Sequence, residues 1–446
     1  MRQCIRFIAV LCCLGLFACG GGPTIRPVGG EVADTRAFPQ DLTVYAQAAG
    51  DGTLLLSPER QAEHWDRYRR LYFAPWRLDA PSIQAKAAFQ ALSRKDYAEN
   101  LLPRTAQDSR RLVENSAQAG YPNRPEGLRR GIVLRNTALR GAPTSRPSFN
   151  NPQKAGEGFP FDMWQDATLP PGTPLYMTHT SRDGAWIFVE NALAAGWVAE
   201  RDIALVDPDA VDALTALPLR AVTREGVLIK EAETGRILTT AGIGALVYAA
   251  GAPDSAGRAP VLLPVKDVKG TARLIKAEVE EGAAPPAPLA LTAGALAGVG
   301  NQLMGQPYGW GSLYENRDCS AMLRDIFTPF GVWLPRNSAV QAKSWSFVDL
   351  SGLDPAGKEQ SIREQAVPFA TLLTFPGHIG LYIGQHEGRA AMFHDMWGVR
   401  TEYDGQSGRY VVGRVVVTST SPGAELDDVE PGRTLLRRMT GISVLR

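Results

Sequence analysis

Apolar and polar positions repeat with different periods along this 446-residue chain. Between residues 38 and 120 the apolar positions recur at helical spacing. Ser57-Pro58-Glu59-Arg60 supplies a capping hydroxyl and a proline in the first turn, and EHWDRYRRLYFAPW and PSIQAKAAFQALSRKDYAENLL follow it. The aromatic residues of these segments are expected to pack in a core rather than to form a ligand site. From 126 to 207 the pattern changes to short apolar runs broken by turn residues, in GIVLRNTALRGAPT, TPLYMTHTSRDGAWIFV and AAGWVAERDIALV. Strands at that spacing predict a small barrel. AVTREGVLIK, RILTTAGIGALVYAAG and APVLLPV repeat the pattern between 208 and 280 and predict a second barrel. The proline- and alanine-rich segment 282–288 reads as a linker. Helical periodicity from Leu291 to Met304 then opens a last folding unit.

The first residues follow none of these patterns. Arg2 and Arg6 precede an apolar stretch from Phe7 to Phe17, then Ala18 and Cys19, which is the layout of an export signal too short to span a bilayer. Leu16-Phe17-Ala18-Cys19 resembles the lipobox of bacterial lipoproteins. That resemblance implies cleavage before Cys19, lipid modification of Cys19 and stable attachment to a membrane by several acyl chains, with Gly20 to Gly22 as a tether. Residue 20 is Gly rather than the Asp that marks inner-membrane retention, so the expected place is the outer membrane, facing the periplasm. Cys4, Cys12 and Cys13 would leave with the signal, so of the five cysteines only Cys319 would remain as a thiol. A lone cysteine in an oxidising compartment cannot form an internal disulfide and is a liability unless chemistry requires it. The remaining composition, 44% apolar and 21% charged, is ordinary globular material of roughly three domains. Lys+Arg at 47 against Asp+Glu at 46 leaves a formal charge of +1. Such a balance supplies no field to grip a polyanion and excludes nucleic acid as the expected partner.

Cys319 lies in the segment NQLMGQPYGWGSLYENRDCSAMLRDIFTPFGVWLPRNSAVQA. Met322, Leu323, Ile326, Phe327 and Phe330 repeat at helical spacing after it, which places Cys319 at the start of an amphipathic helix capped by Asp318. A helix N-terminus and a nearby imidazolium both favour the thiolate, the attacking form of a group with an ordinary pKa of about 8.5. Of the five histidines, His64 falls in the helical region, His179 in the first barrel and His386 in a polar turn. His378 opens the run His378-Ile379-Gly380-Leu381-Tyr382-Ile383, and His394 ends the next, Ala390-Ala391-Met392-Phe393-His394, so one hairpin carries both. His378 is then the expected general base for Cys319, with His394 orienting it through the second ring nitrogen. Asp395 is the alternative orienter, but strand alternation points it to the opposite face. A zinc site from Cys319, His378 and His394 lacks any short paired ligand spacing. No metal or cofactor is expected.

Five motifs stand in order: Gly305-Gln306-Pro307-Tyr308-Gly309-Trp310-Gly311, Asp318-Cys319-Ser320, Leu334-Pro335-Arg336-Asn337-Ser338, the run from Pro376 to Gly384, and Phe393-His394. Together they resemble the NlpC-type cell-wall peptidases, a papain-like family of cysteine enzymes. Leu139-Arg140, the stretch from Ser181 to Trp186, and Gly196-Trp197-Val198 are similar to a bacterial SH3-like domain. The resemblance implies a multidomain protein with a helical N-terminal segment, two SH3-like β-barrels and a C-terminal α+β papain-like peptidase domain. The expected boundaries are 1–19 for the signal, 20–125, 126–207, 208–285 and 286–446. It also implies hydrolysis of the bond between γ-D-glutamate and a diamino acid, such as diaminopimelate, in peptidoglycan stem peptides with a free N-terminal L-alanine. The layout resembles one branch of the family, with two SH3-like barrels ahead of the catalytic domain, and by that resemblance Asp318 and Ser320 would bind the substrate amine, and Tyr308 would position or polarise the reacting carbonyl. A carboxylate facing an ammonium rejects peptides whose amine is blocked. Asp162 and Asp183 are candidates for the barrel residue completing that pocket, and equally turn residues. The protein is expected to act as a monomer, its partners being stem peptides and, through the lipid anchor, a membrane. The competing readings are an idle, wall-binding lipoprotein and an amidase cutting between muramic acid and L-alanine.

Overall fold

The computed structural model describes residues 29–255, 257–430 and 432–445. The expected export signal and the expected lipidation site at Cys19 lie outside the described residues. Three antiparallel sheets follow one another along the chain. The first has seven strands between residues 130 and 205, and its alternate residues, among them Leu139, Leu169, Leu175, Val189 and Val198, close a core of their own. The second has six strands between 219 and 280 around Val222, Ile229, Val247, Val261 and Leu263. Its backbone is completed by the segment expected to be a free linker. Thr223 donates to the Ala283 carbonyl, Ala221 to that of Pro285, and Ala287 to that of Leu219. The linker expectation is therefore corrected. Proline-rich composition signals an absence of regular structure, but here the backbone is annealed to a sheet edge.

The third sheet carries the last domain. Its strands run in the order Ser346–Asp349, Gly441–Val444, Thr371–Phe375, His378–His386, Arg389–Tyr403 and Gln406–Thr418. The helix Cys319–Phe327 covers one face, where Met322, Leu323, Ile326 and Phe327 meet Ile379, Leu381, Phe393, Val415 and Val417. On the other face Ile362, from the helix Pro355–Gln365, packs with Leu373, Tyr382 and Met392. The central strands Thr371–Phe375, His378–His386 and Arg389–Tyr403 thus divide their residues between two apolar layers by period-two alternation.

The N-terminal helical region has no core to itself. Phe38, Leu42, Tyr45 and Ala46 belong to the same apolar cluster as Phe393 and the thiol helix. Tyr68, Tyr72 and Trp76 fill the junction between the first two sheets, and Phe89 packs on Trp197 of the first. Polar ends are satisfied across these contacts: Trp76 Nε1 donates to the Gly131 carbonyl at 2.7 Å and Tyr72 to that of Gly172 at 3.1 Å. The segment is therefore a clamp across three units rather than a separate globule. Its helix Leu42–Ala49 lies so close to the helix Ala293–Asn301 that a Cβ at Gly300 would sit 2.7 Å from Leu42 Cδ1. No helix among the described residues is long and apolar enough to cross a membrane.

Because Leu42 is buried in the last domain's core, Leu42→Ala should cost about 2–5 kcal/mol of that domain's stability. The check is the midpoint of denaturant unfolding; an unchanged midpoint would separate the N-terminal segment from that core.

Candidate active site

Asp318 caps the thiol helix, accepting from the Ala321 backbone N–H at 2.9 Å, and Cys319 is the first helical residue. Cys319 is almost fully buried, and the Ile379 backbone N–H, one residue beyond His378, donates to its sulfur. This contact follows from the packing of the helix on the strand that His378 opens. The two chain segments of the expected pair are brought together across sixty residues of sequence by the tertiary fold alone.

His378 and His394 meet directly: His378 Nε2 lies 2.8 Å from His394 Nδ1. His394 Nε2 is 3.0 Å from Thr418 Oγ1, and the Thr418 hydroxyl donates to the Ser419 carbonyl at 2.7 Å. That last bond fixes the direction of the chain. A hydroxyl has one proton, so Thr418 accepts from His394 Nε2–H. His394 Nδ1 is then bare and accepts from His378 Nε2–H, which leaves His378 Nδ1 as a free acceptor. The base therefore presents a lone pair without needing any carboxylate partner. His394 is interior to the fifteen-residue strand Arg389–Tyr403 and fully buried, not at a strand end as its apolar run suggests.

Asp395 follows His394 on the same strand, so alternation turns it away from the His378–His394 pair, and its charge would be felt at Cys319 and Tyr308. It is fully buried, neither carboxyl oxygen has a hydrogen-bond partner among the described residues, and burial, with Asp318 nearby, pushes it well above the usual carboxylate range. Burial therefore works against its ionised form. Burial likewise raises the Cys319 thiol, aided by the Asp318 charge, and lowers His378 to about 4, aided by Arg438. Burial thus disfavours the charged form of both groups. Loss of solvation therefore works against the thiolate that the helix N-terminus favours. Burial also holds the Tyr308 hydroxyl well above its usual value, with the thiol and Asp318 as like-signed neighbours, so it remains a donor.

The first sheet forms one wall. Gln165 Nε2 donates to the Gly311 carbonyl at 3.0 Å and Thr168 to that of Ser312 at 2.9 Å. Gly311 has a φ of +62°, and any Cβ there would collide with the Gln165 carbonyl, so glycine alone fits. Phe161 reaches across to Trp310 and Trp397, each at 5.2 Å between ring centres.

Comparison with known proteins matches residues 305–419 to the NlpC/P60 family, which spans the thiol, both histidines and Thr418. The last domain belongs to the NlpC/P60 family. Residues 147–199 match an SH3 domain of the SH3b1 type, and residues 7–121 the N-terminal stabilising domain of NlpC/P60 proteins. Among solved structures, an NlpC/P60 endopeptidase from Photobacterium damselae subsp. piscicida is similar over 94% of this chain and 98% of its own, with 25% identity and a TM-score of 0.79. An NlpC/P60 family protein from Bacillus cereus covers 70% of this chain and 98% of its own, at 16% identity and a TM-score of 0.45. No curated protein matches. The protein has the fold of an NlpC/P60 cysteine-type endopeptidase joined to an SH3b domain.

Within the NlpC/P60 domain Asp318 and Ser320 are held by a residue that the motif contained but that carried no role in the sequence reading. Arg336 Nη2 and Nη1 donate to the two oxygens of Asp318 at 2.6 and 3.1 Å, Nη1 also to Ser320 Oγ at 3.0 Å, and Nε to the Asp166 carbonyl of the SH3b domain at 2.8 Å. Ser320 Oγ and the Gly311 N–H complete the shell of Asp318. Burial alone would raise Asp318, but Arg336 holds it below the usual carboxylate value. Asp162 and Asp183 are turn and structural residues. Asp162 binds Arg140 and the N–H groups of Ser148 and Trp164, while Asp183 accepts from Ser181 and Ala185 in its own turn. Neither joins the network around the thiol.

Removal of the guanidinium in Arg336→Ala would leave Asp318 charged and buried, at a cost of about 3–5 kcal/mol, and Arg336→Lys should not restore it because one ammonium cannot serve both Asp318 oxygens, Ser320 Oγ and the Asp166 carbonyl together. Thermal unfolding of the two variants checks this; full recovery by lysine would overturn it. The His378 value sets a second expectation. The base works as the neutral ring, so kcat/KM should fall only as pH drops through about 4, rather than through the ordinary histidine range near 6.5. A pH–rate profile with its acid limb near 6.5 would contradict the burial argument.

Proposed function

We propose that this protein is a lipid-anchored cysteine endopeptidase that hydrolyses the γ-D-glutamyl-diamino acid bond of peptidoglycan stem peptides with a free N-terminal L-alanine. The observation that carries the peptidase reading is the directed chain from Thr418 through His394 to His378, which leaves His378 Nδ1 unprotonated on the residue next to Ile379, whose backbone N–H donates to the Cys319 sulfur.

In this mechanism the neutral Cys319 thiol gives its proton to His378 Nδ1 as its sulfur attacks the γ-carbonyl carbon. The Tyr308 hydroxyl and the N–H groups of the helix start stabilise the oxyanion. His378 then passes the proton to the departing amine, the C–N bond breaks and a thioester remains on Cys319. Water, activated by the same ring, hydrolyses it. His394 keeps His378 in the required tautomer.

The amine preference rests on the family resemblance together with Asp318 and Ser320. The network around Arg336 makes that pocket a shared one, in which a substrate ammonium joins an existing carboxylate–guanidinium pair. We read the sheet between residues 219 and 280 as a second SH3-like barrel. The anchor at Cys19 and an outer-membrane, periplasm-facing location belong to the same proposal, resting on the lipobox-like residues. With a peptidoglycan partner already suggested by the SH3b and NlpC/P60 domains, trimming of wall peptides during turnover is the coherent role.

The test is mass spectrometry of products after the protein and Cys319→Ala meet L-Ala-γ-D-Glu-diaminopimelate, free or joined to muramic acid. Cleavage of the free tripeptide only, and only with the thiol, is expected, with a loss of at least about a thousandfold in Cys319→Ala. Release of muramic acid instead would make the enzyme an amidase, and no thiol-dependent product would favour an idle wall-binding domain.

A further inference from the structure

Beside His378 lies a cavity of about 280 Å³ whose wall contains four arginines, Arg400, Arg409, Arg433 and Arg438, and no aspartate or glutamate. Its remaining lining is aromatic and small: Tyr308, Trp310, Phe161 and Trp397 on one side, Pro376 and Gly377 on another. The chain as a whole is nearly neutral, so this concentration of one sign is local.

The fold does not need it. Arg400 and Arg409 are directly opposite each other on the hairpin formed by the strands Arg389–Tyr403 and Gln406–Thr418, a like-charge pair that destabilises a sheet. A single carboxylate, Glu430, serves two of the four, at 3.6 Å from Arg400 Nε and 2.8 Å from Arg433 Nε. Arg438 donates to the Pro376 carbonyl at 2.8 Å. Arg409 makes no side-chain hydrogen bond or ion pair among the described residues, and it lies over Gly156, whose Cβ would come within 3.0 Å of its Nε. Four guanidinium groups against one carboxylate leave about three positive charges uncompensated, by simple charge counting at neutral pH.

Position relative to the chemistry assigns the side. The amine leaves by taking its proton from His378, so the part of the substrate beyond the cut bond lies past the imidazole. Arg438 is close enough for its charge to be felt at His378, and His378 itself lines the cavity. Resting on the peptidase reading above, we propose that this arginine basin is the leaving-side subsite. It takes the carboxylates of the residue after γ-D-glutamate and selects a diamino acid with a side-chain carboxylate over lysine. Diaminopimelate offers the basin a second carboxylate at the far end of its side chain, suited to the planar fork of a guanidinium. Lysine offers only an ammonium there, which the same charges repel.

The experiment compares kcat/KM of the full-length protein on L-Ala-γ-D-Glu-diaminopimelate and L-Ala-γ-D-Glu-L-lysine, with Arg409→Gln, Arg409→Lys and Arg433→Gln alongside. The wild type should prefer the diaminopimelate peptide by about tenfold or more. Arg409→Gln should lose about tenfold on that peptide, chiefly through KM, and change the lysine peptide by less than about twofold, with partial rescue in Arg409→Lys. Arg433→Gln should act in the same direction. Equal wild-type rates on the two peptides, or equal losses on both in the variants, would overturn the subsite while leaving the peptidase reading intact. Cleavage of neither peptide would instead overturn the assigned bond, and the subsite with it. The wild-type comparison needs no variant to fold.

Discussion

The bidentate pair of Arg336 and Asp318 is the contact on which the site depends. Asp318 caps the helix that begins with Cys319, so the carboxylate's position fixes the thiol's position. Arg336 holds both oxygens of that carboxylate and, through Nε, a backbone carbonyl of the SH3b domain. One planar group therefore sets the helix start and the domain wall together. A lysine could not do so, because its ammonium lacks the fork that reaches three acceptors at fixed angles.

Burial is the second organising constraint, and it works against charge separation. Closing the site among Phe161, Trp310 and Trp397 removes solvent from the thiol and the histidines, which favours their neutral forms. Neutral groups can still be directed when the hydrogen-bond chain has one possible polarity. The Thr418 hydroxyl, committed to the Ser419 carbonyl, imposes that polarity on two imidazoles in series. Asp395 is the contrasting case, a buried carboxyl with no hydrogen-bond partner among the described residues, whose ionised form the same loss of solvent disfavours.

Charge is distributed unevenly on the two sides of the thiol. On the SH3b side Arg336 and Asp318 compensate one another, and Arg140 with Asp162 does the same inside the barrel wall. On the His378 side four arginines face one glutamate. A substrate entering this groove meets a balanced pair at one end and an excess of positive charge at the other, so the site has an electrical direction as well as a chemical one.

Local pattern was enough for the elements that local physics decides. The cap at Asp318, the helix after Cys319, the strand opened by His378 and the short strands of the SH3b region could all be read from residue spacing, because caps and periodicity act over a few residues. Alternation of period two likewise separates His394 from Asp395, and it is His394 that meets His378 in the structure. What spacing could not supply was anything set by packing between distant segments. The N-terminal helices look like a domain by composition, yet their apolar faces complete other cores. The proline-rich segment looks like a tether, yet its carbonyls pair with a sheet. The helix position of Cys319 argues for a thiolate, and burial, a property of the whole fold, opposes it. Arg400, Arg409, Arg433 and Arg438 are unremarkable in the sequence because their meaning is mutual, and hairpin register and the return of the C-terminal segment bring them together.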